Sequence, residues 1–229
     1  MWCDDLPPDK SWATLWSGYT ICGHCSGIQR LGSACPGCGA PSPRTEKYMV
    51  RCEDGRELEV HGALMGAEGR YEDWVYLKML EREWKRPVLE SDRFMDIAES
   101  NRPSPQAAIV LLFWSYFETR IERLLRVGMR DVPDSLVEDA LSRYLFIGAR
   151  LDRFYRIVFG TTYAADLTEL GYAEVARHLT KVQERRNDFT HGKPQAIDDA
   201  LVVSVVEMLK VEHEAWIAVF NRRAARPRI

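Results

Sequence analysis

The chain has 229 residues, 46% hydrophobic and 28% charged, with a net charge of -3. That length holds one large domain or an ordinary domain with a small companion, and the composition excludes the disordered, collagen-like and supercharged classes. The longest apolar run, Ala107 to Trp114, falls far short of the roughly 18 to 20 residues of a membrane span.

The start, Met1 to Pro8, carries acid and proline where a signal peptide has base and an apolar stretch, so a cytoplasmic location without a membrane partner is expected. Charge and cysteine divide the chain in the same place. Residues 1–100 hold 12 Lys+Arg against 17 Asp+Glu, and residues 101–229 hold 19 against 17, so -5 precedes +2. All six cysteines lie between Cys3 and Cys52. The organisation this predicts is a zinc ribbon with a β-hairpin over 1–62, a connecting helix and linker over 63–102, and a helical bundle over 103–229.

Trp2, Trp12, Trp16 and Tyr19 precede the first cysteine pair and are expected to pack over the metal turns. Cys22-Gly23-His24-Cys25 and Cys35-Pro36-Gly37-Cys38 then have the paired spacing of a metal site, not of a secreted disulfide framework. Four thiolates close a tetrahedron and leave no position for water, which predicts structural zinc and no metal in catalysis; iron fits the same ligand set. His24 reads as a turn residue, and Cys3 and Cys52 as buried free thiols. From Lys47 to His61, apolar and polar residues alternate about Glu53-Asp54-Gly55, which predicts a hairpin with an Asp-Gly turn. Net acid around the ribbon does not favour nucleic-acid binding by it.

Gly69 to Trp84 has Trp74, Leu77, Leu80, Glu81 and Trp84 at helical spacing and ends before Pro87, which predicts a connecting helix. Residues 88–101 read as a linker with one helical turn at Arg93–Glu99. After Pro103-Ser104-Pro105, a helix is expected from Ala107 to Arg130, with Ile109, Leu112, Phe113, Tyr116, Phe117, Ile121, Leu124 and Leu125 on one apolar face. A second, capped by Asp134-Ser135, is expected to run toward Phe159 with an interruption at Gly148. A third spans Tyr172 to His191 and a fourth Ala196 to Asn221, and short connections make the set an antiparallel bundle, mainly α overall. Arg120, Arg123, Arg126 and Arg130 read as a solvated basic face, as do Arg150, Arg153 and Arg156. His178 and His213 stand alone and read as structural.

The chemistry-bearing stretch ends the third helix: Glu184-Arg185-Arg186-Asn187-Asp188-Phe189-Thr190-His191-Gly192-Lys193-Pro194. Gly192 sits where a helix takes its C′ glycine, which puts His191 in the final turn. Asn187 and His191, four apart, share a face, with Arg186 beside them. Cleaving an RNA phosphodiester requires moving protons at the 2′- and 5′-oxygens and stabilising charge on the phosphoryl oxygens; imidazole does the first and guanidinium the second. The carbonyl end of the helix favours a charged imidazole, the form that gives up a proton. Spacing alone favours an ordinary capping role, with cations satisfying the last carbonyls.

Arg186-Asn187-x-x-x-His191 resembles the R-x4-6-H motif of the HEPN superfamily, in the form with Asn directly after Arg. The resemblance covers some 120 residues, from about Ser104 to Phe220, including the long helix with Trp114-Ser115-Tyr116-Phe117-Glu118. It implies a metal-independent endoribonuclease of prokaryotic toxin or phage-defence type, a homodimer with two motifs facing across a cleft, RNA as substrate, and a regulatory or neutralising protein as partner. It also implies Arg186 and His191 as catalytic and Asn187 as their orienting amide; in some relatives an acid reaches the motif, as Glu118 could, but Glu118 reads as a surface or hydrogen-bonded core residue. Some members keep the fold and only bind nucleotide or protein, and that is the alternative here. No phosphate-binding loop of the G-x4-G-K-[ST] type and no serine nucleophile elbow occur.

Overall fold

The computed structural model describes residues 12–16, 19–42, 47–51, 57–61 and 70–224. The chain is mainly helical and forms two compact units. Described residues up to Lys78, with those from Phe220 onward, make one, and Met79–Val219 makes the other. Among the described residues no helix is long and apolar enough to cross a membrane.

In the first unit, strand β1 (Tyr19–Ile21) pairs antiparallel with β2 (Ile28–Arg30), Tyr19 opposite Arg30, on either side of the first cysteine turn. The second hairpin is β3 (Lys47–Arg51) with β4 (Glu57–His61), in the register Lys47 to His61 and Arg51 to Glu57. The expected Asp-Gly turn between them, and Trp2, Cys3 and Cys52, lie outside the described residues. Buried Trp16 meets Tyr19 edge-on at 6.3 Å between ring centroids and donates its indole N–H to Asp73 Oδ2 at 3.1 Å. Asp73 belongs to helix α1 (Arg70–Lys85), whose buried side is Asp73, Leu77, Leu80 and Glu81. Trp84, expected on the same stripe, is exposed. The Asn221 side chain acts as a short strand edge, because its oxygen accepts the Ile28 N–H at 2.6 Å and its nitrogen donates to the Ile28 carbonyl at 2.7 Å.

The second unit is built on α2 (Ala108–Gly128), α3 (Asp134–Arg143), α4 (Ile147–Ala149), α5 (Tyr155–Phe159), α6 (Tyr163–Glu169), α7 (Ala173–Thr190) and α8 (Asp199–Ala224). Helix α2 packs on α5 and α7, and α6 packs on α7. The single helix expected from Asp134 toward Phe159 is instead broken at Tyr144–Phe146, ahead of Gly148. Arg150 Nε donates to the Tyr144 carbonyl at 2.7 Å and the Tyr144 ring stacks on Phe154 at 4.7 Å, so side chains take up what the helix would have used. The N-cap position falls on Pro133, and Asp134 is the first helical residue. Helix α6 was not expected; Thr162 Oγ1 starts it by accepting the Ala165 N–H at 3.2 Å.

Burial on α2 is wider than one stripe, taking in Val110, Trp114 and Arg120 with the expected Ile109, Phe113, Phe117 and Leu124. Arg120 therefore does not belong to a solvated basic face. It is fully buried, 2.6 Å from Glu212 Oε2 of α8, and its guanidinium lies 4.7 Å from the Tyr116 ring and 4.4 Å from Trp216. His213, beside it, is buried with Nδ1 3.4 Å from the Tyr116 hydroxyl, and His178 pairs with Ser204 at 3.3 Å. Each ring is thus hydrogen-bonded within the helical unit. Arg126 is engaged by Glu122 and Glu138, and Arg150 by Glu122.

Candidate functional site

Among the described residues, two places concentrate reactive side chains, one in each unit. In the first, the sulfurs of Cys22, Cys25, Cys35 and Cys38 all lie within 4.8 Å of one another. Cys22 and Cys38 approach to 3.6 Å and Cys25 and Cys35 to 3.4 Å, against about 3.8 Å for the edge of a tetrahedron with metal–sulfur bonds near 2.3 Å.

Both turns fold alike. The Cys22 N–H donates to the Gly27 carbonyl and the Cys35 N–H to that of Ala40; the Ser26 N–H returns to the Cys22 carbonyl and that of Gly39 to Cys35. Ser26 and Gly39, each following the second cysteine of its pair, take positive φ of 61° and 72°. The matching residue of the two turns is thus Ser26, which sequence reasoning overlooked because only glycine advertises that backbone.

Electrostatics within the cluster suit a cation. Burial raises the Cys22 thiol, but amides of Cys25 and His24 outweigh it and hold the group at about 7. Desolvation pushes Cys25 up to about 12. A divalent ion supplies the positive charge that deprotonates all four. His24 is exposed and stands outside the cluster, as a turn residue. The residues present fit a four-thiolate structural ion.

The second place is the end of α7. His191 is the C-cap residue, and its N–H donates to the Asn187 carbonyl at 2.9 Å. Gly192 follows at φ +89°, the left-handed conformation that a side chain opposes. The Gly192 N–H bonds the Phe189 carbonyl and the Lys193 N–H the Asp188 carbonyl, which is a complete Schellman closure. Backbone amides therefore satisfy these carbonyls, and the cationic side chains are not required as caps.

Those side chains differ in their commitments. Arg185 pairs with Asp198 at 2.7 Å. Arg186 has no carboxylate partner among the described residues; its Nη1 donates to Asn187 Oδ1 at 3.3 Å. The His191 side chain is exposed and accepts or donates no hydrogen bond among the described residues. Asp188, the acid within the motif, pairs with Lys193 at 2.9 Å, and that ammonium holds its carboxyl below the usual range, with Arg185 and His191 adding positive charge nearby. Lys193 thus neutralises the acid within the motif; its place after the C′ glycine was the signal, and sequence reasoning gave it no role. Glu118 of α2 is half-buried and makes no hydrogen bond to the motif.

No family model, curated protein or solved structure matches the chain.

Proposed function

We propose that the chain is a metal-independent endoribonuclease with an antiparallel HEPN-like helical bundle, acting as a homodimer in which two α7 ends face one RNA strand. What carries the reading is the Arg186–Asn187–His191 group itself. Of two adjacent arginines, the one in the motif has no carboxylate partner among the described residues, its guanidinium is steered by the Asn187 amide, and the imidazole stands exposed at a helix end already closed by backbone.

On this reading Arg186 holds the non-bridging phosphoryl oxygens through its forked N–H groups. The 2′-oxygen attacks phosphorus, the bond to the 5′-oxygen breaks, and the proton lost by the first and gained by the second passes through His191 imidazoles. The products are a 2′,3′-cyclic phosphate and a free 5′-hydroxyl. Asn187 positions Arg186. Zinc held by Cys22, Cys25, Cys35 and Cys38 is structural, supplying folding free energy to the ribbon and no chemistry. Toxin or phage-defence service and a neutralising partner follow from the resemblance of the motif.

The test is the rate at which purified protein digests RNA in EDTA, with zinc content checked before and after. Arg186→Ala and His191→Ala are each expected to fall by two or more orders of magnitude; equal rates for parent and variants overturn the reading. A non-catalytic nucleotide- or protein-binding module is the second reading. It draws on Leu145 and Phe146, 70% and 82% exposed between α3 and α4, a surface suited to a partner.

A further inference from the structure

A cleft of about 350 Å³ opens in the helical unit between α4, α6 and α7, with Leu151, Leu167 and Leu179 among its apolar walls and Asp152, Thr180 and Gln183 among its polar ones. Its size lies at the low end of the roughly 300 to 1,000 Å³ of small-molecule sites, enough for one nucleoside. Two local distortions shape it. Residues Arg150–Phe154 form a π-helical turn, in which the Tyr155 N–H reaches back five residues to the Arg150 carbonyl, and the widened turn sets Leu151 and Asp152 on the cleft. Gly148 lies directly under the Gln183 amide: a Cβ there would stand 2.9 Å from Gln183 Nε2.

The polar lining is divided between engaged and free groups. The Thr162 hydroxyl is used by Ala165, and that of Thr180 donates to the Ala176 carbonyl at 3.1 Å. Asp152, on the lining of the cleft and 64% exposed, accepts from Arg156 through Oδ1 at 3.0 Å and has no hydrogen bond to Oδ2 among the described residues, and the Gln183 amide has no hydrogen-bond partner among them. The cleft therefore offers an amide, which donates and accepts, and a carboxylate oxygen, which only accepts.

Ala176, Thr180, Gln183 and Asn187 recur every three or four residues along α7, so the cleft and the Arg186–His191 end share one side of one helix. Gln183 and Asn187 are about 6 Å apart along the axis, and Gln183 and His191 about 12 Å, at 1.5 Å per residue. We infer that the cleft is a nucleobase subsite, taking one base of the RNA strand whose phosphate lies at Arg186 and His191. This rests on the nuclease reading for its substrate. The Asp152 oxygen, which only accepts, favours a base edge bearing an exocyclic amine, as in adenine, guanine or cytosine, over uracil, whose N3–H lies between two carbonyl oxygens that a carboxylate repels, while Gln183, which donates and accepts, meets the neighbouring ring edge of any base.

The experiment measures binding of fluorescein-labelled oligo-A, oligo-C and oligo-U to the full chain carrying His191→Ala, so that RNA is not cut during the measurement. Oligo-A or oligo-C is expected to bind about tenfold more tightly than oligo-U. Asp152→Ala in that background removes the acceptor and brings oligo-A and oligo-C down to the affinity of oligo-U. Asp152 is 64% exposed, so folding is retained, and far-UV circular dichroism verifies it. Equal binding of all three oligomers, a difference that survives Asp152→Ala, or no RNA binding overturns the subsite. The two readings separate cleanly. Discrimination dependent on Asp152 in a protein whose wild type cuts no RNA keeps the subsite and discards the nuclease, whereas cutting without such discrimination keeps the nuclease and discards the subsite.

Discussion

Replacing Glu212 with leucine tests the physics of the helical unit most sharply. Arg120 and Glu212 are 0% and 1% exposed and 2.6 Å apart, so removal of the carboxylate strands a guanidinium in the core. Breaking a buried pair from one side costs about 3 to 5 kcal/mol, because the remaining charge keeps its desolvation penalty without its partner. At about 2 to 4 °C per kcal/mol for a chain of this size, the melting temperature should fall by roughly 6 to 20 °C. Adding Arg120→Met removes the stranded charge and substitutes a thioether against the Tyr116 and Trp216 rings that the guanidinium faced at 4.7 and 4.4 Å. The double variant should therefore melt well above Glu212→Leu alone. Thermal unfolding followed by circular dichroism reads both numbers. A single variant that melts within about 1 °C of the parent would refute the reasoning, as would a double variant whose two losses simply add.

Other outcomes follow from the ribbon and from the end of α7. One zinc ion per chain is expected by elemental analysis, and Cys25→Ser, at the most buried of the four sulfurs, should abolish it; retention of full stoichiometry would contradict the cluster. Zinc binding should weaken as pH falls through about 7, where Cys22 takes up its proton, and strengthen as pH rises, because protons and metal compete for the sulfurs; a pH-independent affinity would argue against thiolate ligation. Asn221→Ala removes both hydrogen bonds to Ile28 and should destabilise the ribbon unit by about 1 to 3 kcal/mol, read from hydrogen exchange at Ile28. Gly192→Ala places a Cβ at φ +89° and should lower stability by about 1 kcal/mol, with Gly192→Asn milder; an unchanged melt for alanine would mean the Schellman turn is not maintained in solution.

The features legible in the sequence are those whose signal is local. The cysteine spacing fixes its own cluster, the alternation over Lys47–His61 specifies a register about its turn, and Gly192 marks the end of α7. Three-residue strands such as β1 and β2 carry too few positions for a period to show. The break at Tyr144–Phe146 was hidden because its residues suit a helix; the Arg150 side chain and the Phe154 ring that replace the helical bonds act through packing. Arg120 was legible in part. It falls three and four residues from Phe117 and Leu124 on the apolar face, but its partner Glu212 is 92 residues away, and no local pattern points there. The difference between Arg185 and Arg186 likewise depends on Asp198, which the fold and not the spacing brings to one of them.

The measurement that bears most directly on the proposed activity is identification of the ends left on RNA by wild-type and His191→Ala proteins incubated side by side in EDTA. The account predicts 2′,3′-cyclic phosphates and 5′-hydroxyls from the wild type and intact RNA from the variant. Fragments with the same ends at the same rate from both proteins, or RNA left intact by both, would contradict it.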